Sequence, residues 1–96
     1  MAYSAPSRVG LIRGAVLVAL HGFEQVAITQ ARHFGNKDFM SCSDVVEARR
    51  IADAVRGGQR VQVHHDRIGD LFAHTRQTLR ISYEEWEEVM GFVAFT

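Results

Sequence analysis

A regular apolar stripe over residues 44–56 constrains the fold of this chain more than any other feature of its sequence. The apolar residues recur at the three- and four-residue spacing of a single helix face, at Val45, Ala48, Ile51, Ala52 and Val55. Asp44 suits the positive end of a helix dipole, and Gly57 and Gly58 form a stop where a left-handed residue costs little. The pattern predicts a helix with one face in a core and a charged face in solvent.

An alternating segment follows the two glycines directly. Over residues 60–64 polar residues alternate with valines, which is typical of a strand. The best partner within the chain is the segment 77–81, which alternates in the same way. We therefore expect a short antiparallel strand pair, and residues 66–76 between the strands fit either a helical turn or extended chain.

A second helix is predicted near the carboxyl end. Ser82, followed by Glu85 three residues later, is a capping box, and an apolar stripe continues from it to about Met90. Its outer side carries four glutamates: Glu84, Glu85, Glu87 and Glu88. The apolar tail at residues 91–96 either packs on the domain, for example as a last strand, or remains exposed as a binding patch.

The first third of the chain gives a less decisive pattern. Residues 9–23 fit a helical face, but the uninterrupted apolar run over residues 15–20 fits a buried strand equally well. Residues 23–34 favour a helix. Because the apolar run is too short to cross a bilayer and no cleavage site follows it, we expect neither a membrane span nor a signal peptide.

Composition and cysteine content favour one domain in the cytoplasm. The chain is 47% hydrophobic and 23% charged, which excludes a disordered or low-complexity segment and allows a real core. Cys42 is the only cysteine, so no disulfide forms within the chain and a reducing compartment is expected. We predict an α+β fold: a small, mostly helical domain over residues 8–96, with an antiparallel strand pair, an acidic C-terminal helix and a frayed leader at residues 1–7.

The charge of the chain is balanced in total but separated along the sequence. Eleven basic and eleven acidic residues cancel, which argues against sequence-independent binding to phosphate. All eleven basic residues lie within residues 1–81, whereas residues 82–96 contain four glutamates and no cation. The C-terminal segment is therefore the acidic pole of the sequence.

No constellation of residues predicts catalysis or a metal site. His64, His65, Asp66 and His74 lie close together in sequence, but neighbouring residues on a strand point to opposite faces. With the valines facing the core, we expect His65 to point inward and His64 outward. The sequence contains no nucleophile elbow, dinucleotide-binding motif or phosphate loop. We expect no enzyme activity, no cofactor and no metal.

Docking on another protein is the function that these features favour. We expect a small regulatory protein, such as an inhibitor or adaptor, that acts as a homodimer without a membrane partner. The expected partner-binding residues are Glu84, Glu85, Trp86, Glu87, Glu88, Phe92 and Phe95.

The alternative is an arginine-rich module that binds nucleic acid. Arginine suits bidentate contacts to phosphate and base edges, and the central part of the chain is rich in it. The expected contact residues are Arg49, Arg50, Arg56, Arg60, Arg67, Arg76 and Arg80.

Overall fold

The computed structural model describes residues 8–35, 37–38 and 42–95. Within these residues, four helices and two short strands follow one another: α1 (Arg8–His33), α2 (Ser43–Gly57), β1 (Val61–Val63), α3 (Asp66–Thr78), α4 (Tyr83–Met90) and β2 (Val93–Phe95). The two strands form a parallel sheet in which Val61 lies opposite Val93 and Val63 lies opposite Phe95. The frayed leader predicted at residues 1–7 lies outside the described residues.

The predicted antiparallel strand pair is wrong. The strand expected over residues 60–64 forms as β1, but it pairs in parallel with β2 and not with residues 77–81. The latter segment is unavailable because α3 continues through Thr78 and the chain then turns at Arg80, whose φ is 54°. A parallel pair needs a long crossover connection, which α3 and α4 provide. The fold is therefore mostly helical around a short parallel sheet.

The helix predicted from the apolar stripe is confirmed as α2. Every residue of the stripe is buried: Val45, Ala48, Ile51, Ala52 and Val55. Gly58 follows the helix with a φ of 64°, a left-handed conformation that glycine adopts without strain. The N–H groups of Gly58 and Gln59 donate to the Val55 and Ala54 carbonyls, which closes the end of the helix.

The first third of the chain, where helix and strand both fitted the sequence, is one helix of 26 residues. Ile12, Val16 and Leu20 are buried at intervals of four residues on the face that packs in the main core. The remaining core is formed by side chains of the other elements, among them Ile51, Ile68, Phe72, Trp86 and Met90. α1 therefore packs against all three of the other helices.

The outer edge of β1 is closed by side chains of α2. The Gln62 carbonyl accepts a hydrogen bond from Arg50 Nη2 at 2.6 Å, and the His64 N–H donates to Glu47 Oε1 at 3.3 Å. Glu47 and Arg50 also form an ion pair with each other at 2.8 Å. Because these side chains satisfy backbone groups of the edge, β1 needs no further strand beside it, and the sheet has two strands within the described residues.

Candidate docking groove

An open groove of about 650 Å³ lies between α3 and α4, next to the carboxyl ends of the two strands. This volume falls within the range of roughly 300–1,000 Å³ that is typical of ligand pockets. Val63 and Phe95, the last residues of β1 and β2, line one end of the groove. We call this cavity the α3–α4 groove.

α3 forms one wall of the groove with a row of residues spaced three and four apart. The row consists of Asp66, Gly69, Asp70, Ala73 and Arg76. Gly69 and Ala73 are small: the Phe95 ring packs near Gly69, whereas Ala73 is exposed, so an occupant can approach the helix backbone at Ala73. A Cβ at Gly69 would lie 3.6 Å from the Phe95 ring, which shows how near the strand residue is to this wall.

Aromatic rings form the floor. The Phe72 ring is buried and meets Trp86 and Phe95 edge-on, with ring centroids 6.1 and 6.0 Å apart. Trp86 is only 7% exposed, whereas Phe95 is 50% exposed. An apolar side chain entering the groove would therefore contact Phe95, whose ring packs on Phe72, and Phe72 in turn packs on Trp86.

α4 forms the opposite wall, and its position depends on a helix cap. The Ser82 hydroxyl accepts a hydrogen bond from the Glu85 N–H at 3.1 Å, which confirms the predicted start of the helix. Tyr83 is 66% exposed at the top of the wall, and the Arg76 guanidinium lies 4.7 Å from the centre of its ring. Arg76 also donates to the Ile81 carbonyl at 3.3 Å, so this cation is already engaged.

The structure places only some of the predicted partner-binding residues in the groove. Trp86, Glu87 and Phe95 line the groove. Glu84 and Glu88 are exposed on α4 but do not line it.

The other two residues of the predicted set have structural partners. Glu85 accepts hydrogen bonds from the Arg8 side chain at 2.6 and 3.0 Å, and this contact holds the pKa of Glu85 below its usual range. Phe92 is half-buried against the core, with the Arg13 guanidinium 5.4 Å from its ring centre. Both residues therefore already have a contact within the chain, and their predicted role in binding stays a prediction.

Sequence reasoning missed the α3 side of the groove. The residues concerned are Asp66, Gly69, Asp70 and Ala73, which share one face only if their segment is helical. The sequence left residues 66–76 open between helix and extended chain. The signal that identifies the helix is the apolar spacing of Ile68 and Phe72, both of which are fully buried.

Most arginines of the alternative hypothesis are already engaged. Four form ion pairs with nearby carboxylates: Arg49 with Glu24, Arg50 with Glu47, Arg56 with Asp53, and Arg67 with Asp44. Arg76 lies on Tyr83, and Arg60 and Arg80 are exposed in the turns before β1 and after α3. Local pairing reduces the positive charge that this segment presents to a phosphate backbone.

The paired histidines follow the predicted pattern of burial. His64 is exposed, and His65 is partly buried at the start of α3, with its Nε2 2.7 Å from Asp44 Oδ1. The other ring nitrogen of His65 is buried without a hydrogen-bond partner. The described residues contain no group of three side chains that could hold a metal ion.

The outer face of α1 is a second apolar surface. Leu11, Val18 and Val26 are exposed on it, and Gly14 and Gly22 have open space around them. By length and composition alone α1 could cross a membrane, although core helices of soluble proteins and signal sequences meet the same criterion. One face of α1 packs in the core and the other is exposed to solvent. Nothing in the structure tests whether a second copy of the chain or a membrane covers the exposed face, so the expected homodimer and the expected lack of a membrane partner both stay predictions.

Comparisons with known proteins add no family to these observations. No family model matches the chain, and no curated protein and no solved structure matches it either.

Proposed function

We propose that this chain is a non-enzymatic docking protein that binds a segment of a partner protein in the α3–α4 groove. The observation that carries the proposal is the exposed aromatic surface inside the groove, formed by Phe95 and Tyr83. Aromatic side chains with buried support are enriched at the centres of protein interfaces. A partner that inserts an apolar side chain here removes from water the apolar area that folding leaves exposed.

The chemistry of the groove lining supports docking over catalysis. The lining contains carboxylates, one arginine, one histidine and aromatic rings, with no serine or cysteine beside a base. The imidazole of His65 is held by Asp44, which also accepts a hydrogen bond from Arg67 at 3.4 Å. These contacts connect α2 to α3, so the imidazole of His65 and the carboxylate of Asp44 serve the packing of the two helices.

The size of the surface suits an inhibitor or adaptor. One groove on a domain of 10.8 kDa can hold a short segment of a partner, while the rest of the partner remains free to engage other molecules. Because the supporting rings of Phe72 and Trp86 are already packed, little side-chain ordering is needed on this side of the complex.

Selection from a displayed library of random peptides tests the proposal. The variant Ala73→Tyr fills the groove from its exposed wall, and His74→Tyr adds the same ring at the neighbouring exposed position, which does not line the groove. We expect selected peptides to bind the native chain and His74→Tyr equally, and Ala73→Tyr at least tenfold more weakly, which corresponds to about 1.4 kcal/mol.

Circular dichroism of both variants provides the folding control. Peptides that fail to distinguish the two variants would place the binding surface outside the groove. A selection that enriches no peptide above background would contradict a docking role for this groove.

A further inference from the structure

We infer that the segment bound in the α3–α4 groove is basic, with lysine or arginine residues on both sides of an apolar anchor. The inference rests on the proposed function, because it specifies the partner of the same groove. It follows from the charges that line the two walls and from the partners that those charges have or lack.

Carboxylates line both walls of the groove. Asp66 and Asp70 lie on α3, and Glu87 lies on α4. Within the described part of the chain, none of the three forms a hydrogen bond or an ion pair through its side chain. Each carboxylate is therefore stabilised by hydration, and only a bound cation or a basic partner would neutralise its charge.

The positive groups at the groove do not neutralise these carboxylates. Arg76 is stacked on Tyr83 and donates to the Ile81 carbonyl. His65 binds Asp44, which is shared with Arg67. The surface that faces an incoming ligand is therefore negative above an aromatic floor.

This arrangement favours a cation placed between the walls. A concave surface with walls of one sign and a floor of low polarity concentrates the field and attracts the opposite charge. A lysine or arginine there would face carboxylates on both sides and could also lie against the exposed faces of Tyr83 or Phe95. The flanking cations and the apolar anchor would thus use neighbouring parts of one surface.

The carboxylates of the groove are unpaired, whereas five acidic side chains outside it have basic partners. These are the pairs of Glu24, Asp44, Glu47, Asp53 and Glu85 with arginines, while Glu84 and Glu88 on the exposed side of α4 form no such pair within the described residues. Asp66 and Asp70 are four residues apart on one helix face, where like charges repel, so folding gains nothing from placing them together. A basic partner provides the favourable interaction that folding lacks.

Three synthetic peptides test the inference. Each has a central phenylalanine, flanked on both sides by two lysines, two serines or two glutamates. Binding is followed by the amide resonances of Gly69 and Ala73 and by the indole resonance of Trp86, all at the groove. We expect the lysine-flanked peptide to bind at least tenfold more tightly than the serine-flanked one, with a preference that shrinks as salt is added.

Charge reversal completes the test. In Asp70→Lys/Glu87→Lys the order should invert, so that the glutamate-flanked peptide binds most tightly. The matched control Glu84→Lys/Glu88→Lys makes the same charge change on exposed residues outside the groove and should keep the original order.

The outcomes separate this inference from the proposed function. If all three peptides shift the groove resonances with equal affinity, the groove docks apolar side chains but does not select basic ones, and the inference is wrong. If no peptide shifts these resonances at any concentration, the inference and the docking function both fail.

Discussion

α2 and the lining of the α3–α4 groove each carry three carboxylates, but the carboxylates are organised in opposite ways. On α2, the carboxylates Asp44, Glu47 and Asp53 all have an arginine partner. In the groove, Asp66, Asp70 and Glu87 have none within the described residues. A chain with zero formal charge therefore presents a neutralised surface on one side and an unneutralised acidic one on another.

The difference shows that the number of charged residues on a surface does not determine how many of those charges lack a partner and can bind a ligand. The arginines of α2 bind neighbouring carboxylates and, through Arg50, a sheet carbonyl, so they contribute to the fold. The groove carboxylates make no such contacts, so removing them should change the free energy of unfolding by no more than the helix-dipole contribution of Asp66. Four substitutions, in order of decreasing expected effect, test whether this division holds.

Replacing Asp44 should have the largest effect. In Asp44→Ala, His65 and Arg67 lose their common acceptor, and we expect a loss of about 2 kcal/mol in the free energy of unfolding, as for hydrogen bonds to charged groups. Asp66→Ala is the matched control, because Asp66 occupies the first turn of α3 as Asp44 occupies the first turn of α2. It should lose only the helix-dipole contribution, about 0.5 kcal/mol.

Urea denaturation of both variants measures this contrast. Equal losses in the two variants would mean that the contacts of Asp44 add nothing beyond the dipole. The distinction between the two surfaces would then be lost.

The wall of the groove should depend on its helix cap. Ser82→Ala removes the acceptor of the Glu85 N–H, and we expect a loss of about 1 kcal/mol. Ser43→Ala at the start of α2 should cost less, since α2 has no side-chain cap hydrogen bond. Thermal or urea unfolding checks both variants, and a larger loss for Ser43→Ala would contradict the proposed role of the Ser82 cap.

The closed edge of β1 should make stability depend on pH through Glu47. Burial raises the pKa of Glu47, but hydrogen bonds from Arg50 and from the His64 N–H outweigh burial and place it below the usual value. A carboxyl group whose pKa is lowered in the folded state stabilises the fold above its unfolded pKa of about 4.3. That contribution is lost as the pH falls through the lower folded value.

Glu47→Gln tests this dependence. We expect a loss of about 1 kcal/mol at neutral pH, which shrinks when both proteins are compared below pH 4. Glu87→Gln, in the groove, should change the free energy of unfolding little at either pH. A constant difference across the pH range for Glu47→Gln would show that its charge is irrelevant to the edge.

The structural features that the sequence predicts correctly are those set by interactions between residues close together along the chain. Local signals were sufficient for α2 and α4, since the stripe that includes Ile51 and the cap at Ser82 act within one helix. The pairing of β1 is not local, because three-residue strands such as these carry too little pattern to choose between partners. The sequence therefore suggested the nearer segment at residues 77–81 as the partner of β1, and it left a last strand within residues 91–96 only as one alternative.

The same reasoning applies to the groove. Its α4 side, with Trp86 and Glu87, follows from a helix that the sequence predicts. Its α3 side depends on assigning residues 66–78 as helix, and its floor depends on Phe95 returning to β1 after the crossover. The ion pair of Glu85 with Arg8 could not be predicted from the sequence, because the two residues are 77 positions apart.

The smallest effect on stability should come from Asp70, the groove carboxylate whose substitution separates folding from binding most cleanly. Asp70→Asn keeps the size of the side chain and removes a like charge four residues from Asp66, so stability should stay unchanged or rise by about 0.3 kcal/mol. The lysine-flanked peptide should nevertheless bind severalfold more weakly, because one of the wall carboxylates is gone. The measurements are urea denaturation and peptide titration on the same preparation. A clear loss of stability would assign Asp70 to the fold, as on the surface of α2, and unchanged binding would remove it from the docking surface.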